Sequence, residues 1–398
     1  LALKHLLHQL DRAHLHNEVR RIRDKWLRRL RRVDDQVLTL EPEGEVRGEV
    51  LFAYVLDGFL LRDRQAMPHG HTHFWESVAM AETYRELGYR VDVVAWKNQK
   101  FVPEKDYAAA IDVRLLLESW AEHLSSETVK VFHAETAHRS FHNPAQLRRL
   151  ERLAERRGTR IAPQKLIEEN RAAETADAIT ILGNEFTQET YAHTGKPQFR
   201  IPISVPFTYP WPHGKDFDAV RRNFLWFGSG GLVHKGLDLV LEIFAALPDF
   251  HLTVCGPVRK EKDFEREYFR ELYETPNIHT HGWIDVGSPE FQELARSCLG
   301  LVYPSCSEGG GGGVLTSMHA GLVPVVTREA SVDAAGGIVL ENDSLTEIRG
   351  AIERLAAEPA RELETRARTA WEFAREHHTR ENFRRVYRGV AEKLVSGI

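Results

Sequence analysis

Residues Tyr303 to Val326 read YPSCSEGGGGGVLTSMHAGLVPVV, and the order of residue types along them decides the class of fold. An apolar run from Leu299 to Tyr303 closes at Pro304, and a lone acid, Glu308, follows. Five glycines then lead into a helix-like segment, Val314 to Ala320, and a second apolar run spans Val323 to Val326. Strand, loop, helix and strand in that order predict a parallel sheet covered on both faces. Glycine permits positive φ and close backbone approach, so free N–H groups at the helix start are expected to face an anion such as a diphosphate. Glycine runs are usually flexible linkers. This one, however, lies between two buried-looking strands of a single unit.

The alternation continues outward in both directions. Strands are predicted at Asn223 to Gly228, His251 to Gly256 and Asn277 to Trp283, with helices at Lys235 to Leu247, Glu261 to Tyr273 and Pro289 to Arg296. From Ser344 onward the chain reads as helical. Val205 to Gly214, VPFTYPWPHG, holds three prolines and no helical period, which marks a connection between domains. Ahead of it, strands are predicted at Val50 to Leu56, Arg90 to Trp96, Ala108 to Val113, Lys130 to Thr136 and Ala178 to Leu182. Helices are predicted at Phe74 to Leu87, Pro144 to Arg157 and Asn184 to His193, with Asn143 and Asn184 as caps. The expected division is an extension, 1–44; a first domain, 45–210; a second, 211–375; and a closing helix, 376–398, that packs back on the first. Two α/β units facing each other leave a cleft, and ligands collect outside the carboxyl ends of parallel strands.

Composition sets bounds on the rest. A chain of 398 residues with 42% hydrophobic content can build a core in each of two domains. A formal net charge of −5 argues against a general nucleic-acid binder. The three cysteines, Cys255, Cys298 and Cys306, have no CxxC spacing and read as reduced thiols of a cytoplasmic protein. No apolar run approaches the roughly 18 residues of a spanning helix. The chain starts at Leu1 rather than Met, which leaves room for a segment ahead of it. Between Leu1 and Val33 ten Lys or Arg face three Asp or Glu. This local +7, taken from −5, leaves −12 for the remainder. Leu15, Val19, Ile22, Trp26, Leu30 and Val33 step by three or four into one apolar stripe, so a basic amphipathic helix is expected, packed on the body or a second subunit, or lying on an anionic membrane surface at the inner face.

Phe224 to Pro257, FLWFGSGGLVHKGLDLVLEIFAALPDFHLTVCGP, together with IHTHGWID and PSCSEGGGGGVLTSMHAGLVPVV, resembles the carboxyl-terminal half of GT-B glycosyltransferases of the family-four type. The amino-terminal half is similar more loosely. It carries a strand-glycine-helix opening around Gly70, the pair Thr136-x-His138, and ADAITILGNEFTQETY. The resemblance implies two Rossmann-like parallel-sheet domains across a cleft, and transfer of a sugar from a nucleotide diphosphate donor to an acceptor hydroxyl. It also implies retention of anomeric configuration and no metal or other cofactor. The acceptor, a glycan or a lipid-linked glycan, is expected to be read by loops of the first domain such as Gly58 to Pro68.

The resemblance assigns roles residue by residue. Lys235 matches the lysine that neutralises the diphosphate, and Glu308 matches the first acid of an E-x7-E pattern that holds hydroxyls of the donor sugar. Gly309, Gly310 and Gly311 would offer backbone donors to phosphate. Gly282 and Trp283 lie where the main chain meets the base, with core packing expected for the Trp283 side chain. Gly70 and His71 precede the first long helix and are expected to approach the acceptor or the diphosphate, and His138 is expected at the donor sugar from a strand's carboxyl end. The catalytic set is therefore His138, Lys235 and Glu308. Two positions depart from the pattern. Thr316 stands where the second acid is expected, and Ser229, followed by Gly230, stands where an arginine partners the lysine. A neutral Thr316 bonds a ribose hydroxyl more weakly than a carboxylate does.

Other constellations point elsewhere. His69, His71 and His73 alternate, but no acid or cysteine lies close by in sequence to complete a metal set, so solvated loop histidines are expected. Asp216-Phe-Asp218 matches a DxD manganese motif, yet it follows WPHGK in the linker rather than an apolar strand. GSGGLVHK fits neither a P-loop nor a dinucleotide fingerprint. Two rival functions on the same frame stay open: a non-catalytic nucleotide- or carbohydrate-binding subunit, and a sugar-nucleotide epimerase or phosphorylase.

Overall fold

The computed structural model describes residues 33–61, 63 and 67–397; the amphipathic stripe read in Leu1 to Val33 lies outside them except for Val33. The first domain runs β1 (Val37–Leu40), β2 (Gly48–Tyr54), α1 (His73–Glu86), β3 (Tyr89–Ala95), β4 (Tyr107–Asp112), β5 (Val129–Ala134), α2 (Arg139–Arg157), β6 (Ala178–Leu182), α3 (Glu185–Tyr191) and β7 (Gln198–Ile201). Its sheet has the order β1-β3-β2-β4-β5-β6-β7. All pairs are parallel except β1, which runs antiparallel to β3.

The second domain runs β8 (Asn223–Phe227), α4 (Leu237–Ala245), β9 (His251–Cys255), β10 (Ile278–Gly282), β11 (Gly300–Tyr303), α5 (Gly312–His319), β12 (Val323–Thr327) and β13 (Ile338–Leu340). The order is β10-β9-β8-β11-β12-β13, parallel throughout. All residues of β6, β11 and β12 are buried. That is why these strands read as unbroken apolar runs rather than alternating ones.

Both sheets reverse direction of growth beside their first long parallel strand. In the second, the chain goes from β8 outward to β9 and then returns to place β11 on the other side of β8. The crevice beyond the carboxyl ends of β8 and β11 is such a switch point, where an open α/β sheet leaves room for a ligand. In the first domain β2 is flanked by β3 and β4 in the same way.

Helix α2 starts earlier than its proline suggests. Pro144 lies inside the helix rather than at its first turn. The cap is His138, whose Nδ1 accepts from the Ser140 amide at 3.3 Å. Asn143 is therefore not a cap; its side chain exchanges two 2.9 Å hydrogen bonds with the Ile167 main chain. Asn184 does cap α3, accepting from Phe186 N. Asp216 likewise caps the short turn Phe217–Val220 through Asp218 N and Ala219 N, so the DxD is a helix start.

Two long-range connections hold the domains together. The last helices, α6 (Leu345–Ala357), α7 (Ala360–His377) and α8 (Arg380–Val395), carry the chain back to the first domain. There Phe383 packs edge-on against Trp75 and Tyr387 against Tyr84 of α1. In the other direction α2 lays a row of arginines on the second domain. Arg156 pairs with Asp238 at 2.7 Å and Glu242 at 3.1 Å, and Arg157 with Glu271 at 2.9 Å and Glu267 at 3.1 Å. Among the described residues no helix is long and apolar enough to cross a membrane.

Candidate active site in the interdomain cleft

A cavity of about 780 Å³ opens between the two sheets and is lined from both domains. From the second come Gly228, Ser229, Lys235, Glu308 and the start of α5; from the first come the segment around Gly70, Glu135, His138 and the loop after α2. The loops that follow β8 and β11 meet at the switch point. Lys235 precedes α4, whose entry uses Gly236 in the left-handed region. Its carbonyl accepts from the buried Trp226 Nε1 at 3.2 Å, which fixes the main chain.

Lys235 and Glu308 are directly paired. The Lys235 ammonium bonds Glu308 Oε1 and donates to Tyr303 Oη at 2.8 Å. Tyr303 in turn donates to Glu308 at 2.9 Å, and Ser305 Oγ donates at 3.3 Å. Burial alone would raise the Glu308 carboxyl, but the Lys235 charge overrides it and holds the group down to about 2. Glu308 is therefore a fixed anion whose three protein hydrogen bonds all fall on Oε1, which leaves Oε2 to meet a ligand, and Lys235 is a cation already paired before any ligand arrives. His234 is driven to the neutral form by burial, down to about 3, and bonds Gln146 rather than acting as a charge.

The glycine run does two jobs. Gly309, Gly311, Gly312 and Gly313 line the cavity, and α5 begins at Gly312, so the first amides of that helix have no carbonyl one turn back and face the cleft. Gly310 does not line it. A Cβ at Gly310 would lie 2.2 Å from Ile203 Cδ1, and one at Gly309 would lie 2.1 Å from the Glu135 carbonyl oxygen. These two glycines are where the second domain touches the first, a role that phosphate binding alone does not require.

The remaining predicted positions divide. Ser229 and Thr316 line the cavity, and the Thr316 hydroxyl is spent on the Gly312 carbonyl at 2.8 Å. Gly230 faces the Glu261 carboxylate, and Gly282 gives its carbonyl to Gly256 N at 2.8 Å; neither reaches the cavity. Trp283 is not a core residue. It is 56% exposed at the end of the edge strand β10, and its ring covers Gly70 across the cleft mouth, 3.4 Å from where a Cβ would stand. His69 and His73 are half-buried on the cavity wall, and His71 stacks on His73 at 3.7 Å.

His138 reaches the cleft wall, but its ring is engaged. Nδ1 takes the Ser140 amide, so in the neutral ring the proton is on Nε2, which faces Glu174 at 3.5 Å. His193 approaches the same carboxylate at 3.8 Å. His138, Glu174 and His193 form a compact group whose ligand-type atoms lie within 4.8 Å of one another, and the capping bond commits His138 to a donor role in it. Burial, then the neighbouring His193, holds His138 below its ordinary value.

Several cleft residues carry no sequence motif. Glu135, at the carboxyl end of β5, accepts from Tyr54 Oη at 2.7 Å and from Arg114 at 3.2 Å. Burial would raise it, but Arg114 and His73 hold it ionised. The strand-end argument applied to His138 reaches Glu135 as well. Glu76 on α1 is fully buried and raised to about 7 by burial, against hydrogen bonds from Ser204 and Thr72. His142 links the domains, with Nδ1 to Ser307 Oγ at 2.9 Å.

Residues 221–358 match the family model described as glycosyl transferases group 1. The chain is similar in fold to sucrose-phosphate synthase from Thermosynechococcus elongatus, with a TM-score of 0.61 at 12% identity over 88% of this chain and all of that one. It is similar to HepE from Anabaena, solved with UDP and glucose, with a TM-score of 0.54 at 13% identity over 88% and 100%. It is also similar to WaaG, a glycosyltransferase involved in lipopolysaccharide biosynthesis, with a TM-score of 0.51 at 18% identity over 88% and 100%. The chain spans 55% of the length of two matched structures of TarM. No curated protein sequence matches it. A parallel switch-point cleft, a family match over residues 221–358 and solved structures of the same two-sheet build agree: the second domain is similar to the glycosyl transferases group 1, and the chain as a whole has the two-sheet GT-B fold.

Proposed function

We propose that this protein transfers a sugar from a nucleotide diphosphate donor to a hydroxyl of a glycan or glycolipid acceptor, with retention and without a metal. The observation that carries the reading is the meeting of Lys235, Glu308 and the amino end of α5 on one wall of the cleft. A leaving diphosphate gains negative charge as the glycosidic bond breaks. A fixed ammonium and outward-pointing amides stabilise charge at that point without reorganising. Glu308, ionised and immobile, accepts hydroxyl hydrogens of the donor sugar and orients it. The first domain closes over this wall through Gly309 and Gly310, which excludes water that would hydrolyse the donor. The HepE structure was solved with UDP and glucose, which favours a uridine nucleotide as the first donor to try.

Ionised Glu135, the Arg114 guanidinium and Trp96 line both the main cavity and an adjoining one of about 570 Å³ at the carboxyl ends of the first sheet. We assign the acceptor to that side. Three buried, unpaired thiols fit a reducing, cytoplasmic setting.

Calorimetry with UDP, GDP and ADP tests the donor reading, and binding of none of them would remove it. Product analysis with a panel of nucleotide sugars then separates transfer from the rivals. A transferred sugar supports transfer, and an epimerised or phosphorolysed product overturns it. Nucleotide binding without turnover of any donor would mark a non-catalytic subunit.

A further inference from the structure

The charges at the cleft wall do not balance for the ligand assigned to it. Lys235 and Glu308 cancel each other, and the amino end of α5 supplies only about half a unit of positive charge. A nucleotide sugar carries one negative charge on each of its two phosphates. Another cation is needed at the site, and Ser229 does not supply it.

Lys165 fits that need. It belongs to the loop after α2, in the first domain, and lines the cavity together with Ser229, Lys235 and Glu308. Its side chain crosses to the second domain and lies on Gly231, so that a Cβ there would stand 2.8 Å from Lys165 Cγ. Gly231 has φ of +87°, and its carbonyl accepts from Lys235 N at 2.9 Å, so the lysine stem runs along the same turn that presents Lys235. The Lys165 main chain is clamped on both sides. Its carbonyl bonds His142 Nε2 at 2.8 Å and its amide donates to Gln146 Oε1 at 3.3 Å. Three residues earlier, Ala162 N donates to Asp263 of the second domain at 2.9 Å.

The ammonium has no competing partner among the described residues. Among the described residues no carboxylate pairs with Lys165 within 4.0 Å. The two acids that it feels most, Glu308 and Glu261, are committed elsewhere: Glu308 to Lys235, and Glu261 to the amides of Gly231 and Leu232. Loss of solvent in the cleft, followed by the positive charge of Lys235, holds the ammonium below the ordinary lysine range. An unpaired cation beside another cation is electrostatically costly unless an anion comes between them.

We propose that Lys165 is the second cation of the diphosphate site, delivered across Gly231 from the first domain, so that the nucleotide diphosphate is gripped by both domains at once. The inference rests on the donor reading above. It makes donor binding and domain closure one event, because the cation leaves the site whenever the loop after α2 moves away.

The test is calorimetry of wild type, Lys165→Met and Lys165→Arg with the nucleoside diphosphate that wild type binds and with the matching monophosphate. Lys165→Met should weaken the diphosphate roughly 10- to 100-fold, the range for one charge-assisted bond. The monophosphate should change several-fold less, and Lys165→Arg should recover most of the loss. The salt dependence of diphosphate binding should also become shallower in Lys165→Met. Equal diphosphate affinity in wild type and Lys165→Met overturns the inference while leaving the donor reading intact. An equal loss for both nucleotides, or no recovery by arginine, overturns it in favour of a structural role. Wild type that binds no nucleoside diphosphate removes the donor reading and this inference together.

Discussion

Arg149, on a helix that belongs to the first sheet, donates from Nη2 to the carbonyl of Pro304 at 2.9 Å, the residue that follows strand β11 of the second. The same nitrogen meets Asp343 Oδ2 at 2.9 Å, and the side chain is 1% exposed. A guanidinium suits this place because its planar fork serves a carbonyl and a carboxylate at once. The contact is four residues from Glu308 in sequence on one side and seven from His142 on the other, so it sets the spacing of the two cleft walls.

Arg149→Met should therefore lower stability by about 2–3 kcal/mol. The Pro304 carbonyl loses its buried donor and Asp343 keeps only Arg152. Arg152→Met, at a side chain that is 47% exposed, should cost under about 1 kcal/mol. Denaturant midpoints for the two variants check this. Equal small effects would mean that the interface is not held at Arg149.

Glu308→Gln separates charge from shape. The amide keeps the size of the side chain but releases Lys235 from its permanent counter-ion. Turnover should fall on the order of 100-fold as the oriented acceptor of sugar hydroxyls is lost. Nucleoside diphosphate affinity should hold or tighten. Lys235→Met should lose both. Steady-state rates and calorimetric titrations decide it, and a Glu308→Gln enzyme at wild-type rate would refute the role given to this carboxylate.

Two buried acids should shift stability with pH in opposite directions. Glu308, lowered to about 2, stabilises the fold above its unfolded value near 4.5, and that contribution fades as pH falls toward 2. Glu76, raised to about 7, favours folding while protonated. Its contribution is full below about 4.5 and is lost as pH rises through 7, leaving a cost of roughly 3 kcal/mol above that. Glu76→Gln retains an oxygen for Ser204 and presents an amide to Thr72. The variant should be more stable than wild type at pH 8 and nearly equal at pH 4. Melting curves across that range test the sign; a variant less stable at pH 8 would reverse it.

Much of this architecture was legible because parallel strands buried on both faces give apolar runs that need no partner to be recognised. The strands that escaped, β1, β7 and β13, are three or four residues long and lie at sheet edges or ends with half-exposed positions. There the hydrophobic signal thins out. For helix α2 the sequence points to a start at Pro144, because proline favours a first turn, whereas the cap is the His138 ring. Motif and loop position, which local sequence carries, single out Lys235 and Glu308, and both line the cleft. The expectation of core packing for Trp283 fails because a tryptophan is usually buried and nothing local reveals that β10 is an edge. The arginines of α2, Glu135 and Lys165 act on partners far away in the chain, and a single sequence holds no record of such pairings.

The glycine run offers a test of its two roles. At Gly309 a methyl group would stand 2.1 Å from the Glu135 carbonyl and 2.4 Å from Thr136 Cα, both main-chain atoms of the opposing domain. Neither can rotate away, so Gly309→Ala must push the cleft walls apart. At Gly312 the nearest atom is Thr72 Cγ2 at 3.9 Å, and the residue opens a helix, where alanine is favoured over glycine by up to about 1 kcal/mol. Gly309→Ala should thus lower the melting temperature and reduce kcat/KM, while Gly312→Ala should melt at or slightly above wild type. Small-angle scattering should report a larger radius of gyration for Gly309→Ala alone. If both variants behave alike, the run acts only as a flexible approach to α5, and the contact between the domains does not depend on the missing side chain.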